Sequence, residues 1–181
     1  LDTFRAGYTS RNWGPQIFIA PQFTRVAEMY NPSRMSYWKS PESLPPKKHL
    51  IGLALVHDSM LHSCFGLDQN EEFAIMDRFG WDDALVFHPY WQQRMAAFTN
   101  GTPETVESIY ERPERLMLVP LNNTPEARSL ELNIQTGKLG LPVNFTLTDE
   151  HNGQKYQVKN GRLVLPMAPY SFRMLSADKG K

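Results

Sequence analysis

The sequence predicts an α/β segment followed by an all-β antiparallel sandwich, and three observations carry that expectation. Twice between Leu50 and Trp91 a short apolar run, read here as a strand, ends abruptly in a polar and aromatic cluster: residues 50–56 run into His57-Asp58, and residues 84–87 run into His88-Pro89-Tyr90-Trp91. Between the two, Phe73, Ile75, Met76 and Phe79 fall mainly at helical spacing, with Gly80 placed as a helix C-cap. After Pro103 the pattern changes to short strands separated by turn residues. Strand, helix, strand with chemistry at the strand ends is how an α/β enzyme builds its active face.

Taken in order, residues 16–20 are a third strand candidate, stopping at Pro21-Gln22-Phe23, and residues 24–30 read as a short helix ended by Asn31-Pro32. Residues 33–48 hold Pro41, Pro45 and Pro46 and read as a long irregular connection. The second half divides into strands at 106–111, 116–121, 129–134, 143–149, 155–158, 162–165 and 171–175. Asn122-Asn123, Thr136-Gly137, Asn152-Gly153 and Asn160-Gly161 mark turns between them, the two Asn-Gly pairs being strong hairpin signals. About seven strands in so short a stretch argue for a sandwich. The expected domains are therefore 1–102 and 103–181.

Composition narrows the function. With 41% hydrophobic and 12% aromatic residues, the chain of 181 residues can bury a real core. Its 19 basic and 19 acidic residues cancel and form no basic stripe, which argues against nucleic acid or an anionic membrane as partner. The longest apolar run is strand-sized, so no membrane span is expected. A lone Cys64 excludes an internal disulfide and a thiolate metal cluster. The start at Leu1, with no Met and no signal-like segment, reads as the interior of a longer protein. Three sequons, at Asn100, Asn122 and Asn144, are read as chance triplets.

His57 beside Asp58 at a strand end offers a His that a carboxylate could orient or charge. The competing structural reading makes Asp58 the N-cap of the next segment and His57 a satisfied buried group. His88, Tyr90 and Trp91 form the set a sugar wants, since saccharides present flat apolar faces ringed by hydroxyls. Against it, large aromatics also plug seams between domains. Glu71-Glu72 falls in the first turn of the predicted helix, where acids favour the dipole, and Asp82-Asp83 falls in a turn. The hairpin tip Asp149-Glu150-His151 is set aside as a metal site, because adjacent residues on a turn do not easily converge. Phosphate-loop, zinc-protease and serine-hydrolase motifs are absent from the sequence, and no metal or cofactor is expected.

With these residues in view, the order of segments resembles the C-terminal third of bacterial glycoside hydrolases similar to glycoside hydrolase family 123, the β-N-acetylgalactosaminidase type. The matching text is Leu53 to Leu61, Phe73 to Gly80 with Asp82-Asp83-Ala84, Pro89-Tyr90-Trp91, Glu107 to Pro113 and Leu116 to Asn122. The resemblance covers roughly residues 45–176. It implies that 1–102 are the last strands of a (β/α)8 barrel and 103–181 its C-terminal β-sandwich. It also implies substrate-assisted hydrolysis driven by an Asp-Glu pair at a strand end. That pair would lie upstream, and no such pair ends a predicted strand in the first half of this chain.

The expectation is thus the C-terminal portion of a carbohydrate-active enzyme, with Gln22, His57, Asp58 and His88 bonding sugar hydroxyls and Tyr90 and Trp91 stacking. Its catalytic residues remain unassigned, its partners are a glycan or amino-sugar substrate and an N-terminal part of the same protein, and the resemblance would put it outside the cytoplasm. The competing expectation is a non-catalytic sandwich that binds a carbohydrate or a protein.

Overall fold

The computed structural model describes residues 49–59 and 70–179. The expected strand at 16–20 and helix at 24–30, with Gln22, lie outside the described residues. Two helices come first, α1 (His49–Leu55) and α2 (Asn70–Phe79). They are followed by β1 (Val86–His88), β2 (Ala96–Phe98), β3 (Thr105–Glu111), β4 (Arg115–Asn122) and β5 (Arg128–Ile134). A short helix α3 (Thr136–Leu139) leads into β6 (Phe145–Asp149), β7 (Lys155–Val158), β8 (Arg162–Met167), β9 (Ser171–Phe172) and β10 (Leu175–Asp178). None of the helices among the described residues is long and apolar enough to cross a membrane.

The strands make two sheets. A 7-stranded sheet runs β1-β3-β4-β10-β6-β7, with β9 also on β4, and a 3-stranded sheet runs β2-β5-β8. Every ladder between named strands is antiparallel. The alternation of side chains explains which sheet sits where. In β4, Leu116 and Leu118 enter the core shared with the small sheet, whereas Met117, Val119 and Leu121 enter a second core under α1 and α2. A strand buried on both faces reads as a near-continuous apolar run, which is what residues 116–121 are. In β5 and β8, by contrast, buried and exposed residues alternate, as expected of an outer sheet with one solvated face. The large sheet is therefore the middle layer, with helices on one side and the small sheet on the other.

Several sequence expectations need correction. Residues 50–56 belong to no strand: His49 to Leu55 form α1. The run is apolar at nearly every position, so its spacing fits either period, and burial on the large sheet selects the helix. Gly52 lets the helix approach closely, since a Cβ there would lie 2.7 Å from the Phe172 side chain. Thr136-Gly137 opens α3 instead of forming a turn, and Gly140 at φ 67 provides the left-handed C-cap. The strand expected over 171–175 is two strands, with the Arg173 N–H bonded to the Pro120 carbonyl between them. Proline at position 120 can donate nothing to a ladder and sits where the β9 and β10 pairings meet. Before residue 103, β1 pairs with β3 and the unforeseen β2 pairs with β5, so both sheets take their first strand from that region.

Between the sheets, Glu107 of β3 is buried and accepts a hydrogen bond from Gln93 Nε2 at 3.1 Å. The same amide donates to the Ala96 carbonyl, which ties β2 to β3. Burial pushes the Glu107 carboxyl up to about 8, only partly opposed by the Gln93 bond.

Candidate functional site

His57 and Asp58 stand at the C-terminus of α1. The Ser59 N–H bonds the Ala54 carbonyl at 2.9 Å and the Asp58 N–H bonds the Leu55 carbonyl at 3.1 Å, a Schellman closure with Asp58 in the left-handed region at φ 54. Asp58 thus ends one helix, whatever it does for the next segment. Side chains also bond the carbonyls of this turn. His57 Nδ1 donates to Leu53 O at 2.7 Å, Tyr110 Oη to Leu55 O at 2.6 Å and Ser108 Oγ to Val56 O at 2.8 Å. The two donors on β3 fasten the helix end to the large sheet.

With Nδ1 bonded to the helix backbone, His57 Nε2 is left facing Tyr90, whose Oη is 3.4 Å away. The Trp91 ring stacks on His57 at a centroid distance of 5.5 Å and 29°, and Tyr90 meets both rings edge-on. His57 is only 4% exposed, while Tyr90 and Trp91 are half-buried. Three of the expected residues, His57, Tyr90 and Trp91, are therefore brought together in one aromatic corner, with Asp58 next to His57 in the chain. His88 is not among them. Phe87 packs on Tyr110 toward the helices, so its neighbour His88 leaves the sheet on the opposite face and bonds Glu111 Oε2 at 2.6 Å. Lys179 also bonds Glu111; burial pushes this carboxyl up, but the bonds from Lys179 and His88 prevail and hold it below its ordinary value.

A second grouping was missed in the sequence. Glu72, fully buried in the first turn of α2, accepts a hydrogen bond from His151 Nε2 at 3.1 Å. His151 Nδ1 lies 3.6 Å from Asp149 Oδ1, and Asp149 Oδ2 accepts from Arg173 at 2.7 Å. Burial pushes Asp149 up, but the bonds from His151 and Arg173 prevail and hold it below its ordinary value. The hairpin tip 149–151 cannot converge by itself; the helix supplies the partner. Glu71, Glu72 and His151 each offer a donor atom within 4.8 Å of the others, the one grouping among the described residues that could hold a metal. Glu71, Asp149, His151 and Arg173 border a cleft of about 370 Å³ between α2, the β6–β7 hairpin and the loop before β9.

Tyr170 and Phe172 form another part of that cleft's lining. The Tyr170 ring meets the buried His49 edge-on at 5.4 Å, and His49 Nε2 donates to Asn123 Oδ1 at 2.7 Å. Burial holds His49 below its ordinary pKa, against opposing hydrogen bonds from Asn123 and the Tyr170 backbone, so the ring is neutral at pH 7. Beneath the loop, Asn122 Nδ2 donates to the carbonyls of Glu126 and Ala168.

No family model and no curated protein sequence matches the chain. Solved structures do match, and a putative α-N-acetylgalactosaminidase of Bacillus halodurans C-125 aligns with 74% of this chain at 10% identity and a TM-score of 0.51. The fold occurs within a glycoside hydrolase. A noncanonic maltogenic α-amylase of Thermotoga neapolitana aligns with 76% at 13% identity and a TM-score of 0.43. The protein AmyP, solved in complex with maltose, aligns with 49% at 15% identity and a TM-score of 0.36. The chain spans 32%, 39% and 17% of these three, under half of each.

Proposed function

We propose that this chain is the C-terminal portion of a carbohydrate-active enzyme of the glycoside hydrolase type, of the kind resembled by family 123, and that it supplies a sugar-contacting wall. The observation that carries the proposal is the aromatic corner: Trp91 stacked on His57, with Tyr90 edge-on to both. Half-buried aromatic rings next to fixed hydrogen-bonding groups match the alternating apolar faces and hydroxyl rims of a pyranose. In this reading His57, Asp58 and Tyr90 bond hydroxyls and Trp91 stacks, while Gln22 and His88 contribute through the glycan's extension or not at all. The likeness to the Bacillus halodurans protein supports the fold and makes an N-acetylgalactosaminide the first substrate to try.

The catalytic carboxylates belong to a region upstream of residue 1, with 1–102 as the tail of the barrel. The test is a longer protein that includes that region, assayed on chromogenic N-acetylhexosaminides. Hydrolysis that falls at least tenfold in both His57→Ala and Trp91→Ala supports the wall; hydrolysis untouched by both sinks it. The alternative, a non-catalytic sandwich binding a carbohydrate or a protein, is favoured by β1 and β2, which already belong to the sheets and leave little of the described chain for a barrel.

A further inference from the structure

We infer that the cleft between α2, the β6–β7 hairpin and the loop before β9 is a second saccharide site, which takes one neutral pyranose unit with Tyr170 as its stacking platform. The ligand class rests on the carbohydrate reading above; the cleft and its strain do not. Three features lead there. The volume, about 370 Å³, lies in the range of small-ligand sites, roughly 300–1,000 Å³. The lining joins an aromatic pair, Tyr170 and Phe172, to planar polar groups from Asn152, Asp149 and Arg173. That is the combination a sugar ring uses, with its face on an aromatic plane and its hydroxyls on amide, carboxylate and guanidinium groups.

The third feature is backbone strain. Tyr170 is held at φ 48, a left-handed conformation that a bulky side chain rarely adopts and that glycine adopts freely. The loop is fastened in that shape: the Tyr170 N–H donates to Thr124 O at 3.0 Å, and Asn122 and Ser171 both donate to Ala168 O. A glycine would serve the turn better, so the tyrosine is there for its ring. The charges decide the ligand's sign. Along the lining Arg173 is bonded to Asp149 at 2.7 Å and His151 lies against Asp149 and Glu72, while the exposed Glu71 adds a carboxylate, so an anionic sugar is disfavoured and a neutral or N-acetylated one accepted.

The experiment is an NMR titration of the full 181-residue chain with N-acetylgalactosamine, methyl galactoside, maltose and, as the anionic comparator, glucuronic acid. Expected are shifts of the Asn152, Tyr170 and Phe172 amides with a neutral sugar and none with glucuronic acid. In Tyr170→Gly, which relieves the strained φ, affinity should drop about tenfold or more while the melting temperature holds, as the loss of a stacking contact would give. Shifts confined to His57, Tyr90 and Trp91 would overturn the cleft and leave the wall standing. Cleft shifts with full affinity retained in Tyr170→Gly, or a preference for glucuronic acid, would also overturn it.

Discussion

His151 Nε2 lies 3.1 Å from Glu72 Oε1 although 79 residues separate them in the chain. One contact thereby joins the helical layer to the β6–β7 hairpin and places a fully buried carboxylate against a half-buried imidazole. Removing one partner of a buried hydrogen-bonded pair leaves the other unsatisfied, which costs about 1–3 kcal/mol and more for a charged group. Glu72→Ala should therefore lose about 3 kcal/mol in urea unfolding. A double-mutant cycle with His151→Ala should return a coupling energy of at least about 1 kcal/mol. Additive losses would mean that the contact contributes nothing of its own.

Asp149 gives the acid limb. Its folded pKa is below its ordinary 3.8, so its contribution is present above that value and is lost as pH falls through the folded pKa. Arg173→Met removes one of the bonds that lower it, and the acid-unfolding midpoint should move to higher pH. A midpoint that stays or falls would show that Arg173 does not hold the carboxylate.

Glu107 gives the opposite sign. Between pH 4.5 and about 8 the folded protein keeps a proton that the unfolded chain has released. Stability must then fall as pH rises across that window. Glu107→Gln keeps the shape and a partner for Gln93 without the titration, so the variant's melting temperature relative to the parent should increase steadily from pH 5 to pH 8. A constant difference would refute the buried, proton-holding Glu107.

Gly52 sits where a Cβ would come within 2.7 Å of Phe172. Gly52→Ala overpacks the contact between α1 and β9 and should destabilise by about 1–3 kcal/mol despite alanine's better helix propensity. Phe172 is also part of the cleft, so its amide resonance should move in the same variant. Gly52→Ala with raised stability would remove the close approach.

Much of the sandwich was legible because its signals are local. Alternation in residues 155–158 and 162–165 marked β7 and β8, and Asn160-Gly161 turns between them with φ values of 51 and 72. Acids in the first turn and Gly80 at the end marked α2. What was illegible depends on the third dimension. Residues 50–56 carry no period because they are apolar at nearly every position, and β2 is a three-residue strand that exists only by pairing with β5. The corner of His57, Tyr90 and Trp91 could be guessed from residue types at segment ends, whereas His88 fell away by the simple alternation of a strand. The pairing of Glu72 with His151 had no sequence signal, since each residue had a sufficient local explanation.

The position of β10 between β4 and β6 has a consequence for how the protein is made. It is the last of the sandwich strands to leave a ribosome, and until it does the large sheet exists as two unjoined pieces, β1-β3-β4 and β6-β7. Each piece offers an open edge, the sticky feature that finished sheets conceal. A frameshift or early stop before Leu175 thus does more than shorten the chain: it removes the strip that welds the halves, and quality-control proteases would meet one chain with two adhesive edges in place of a folded product.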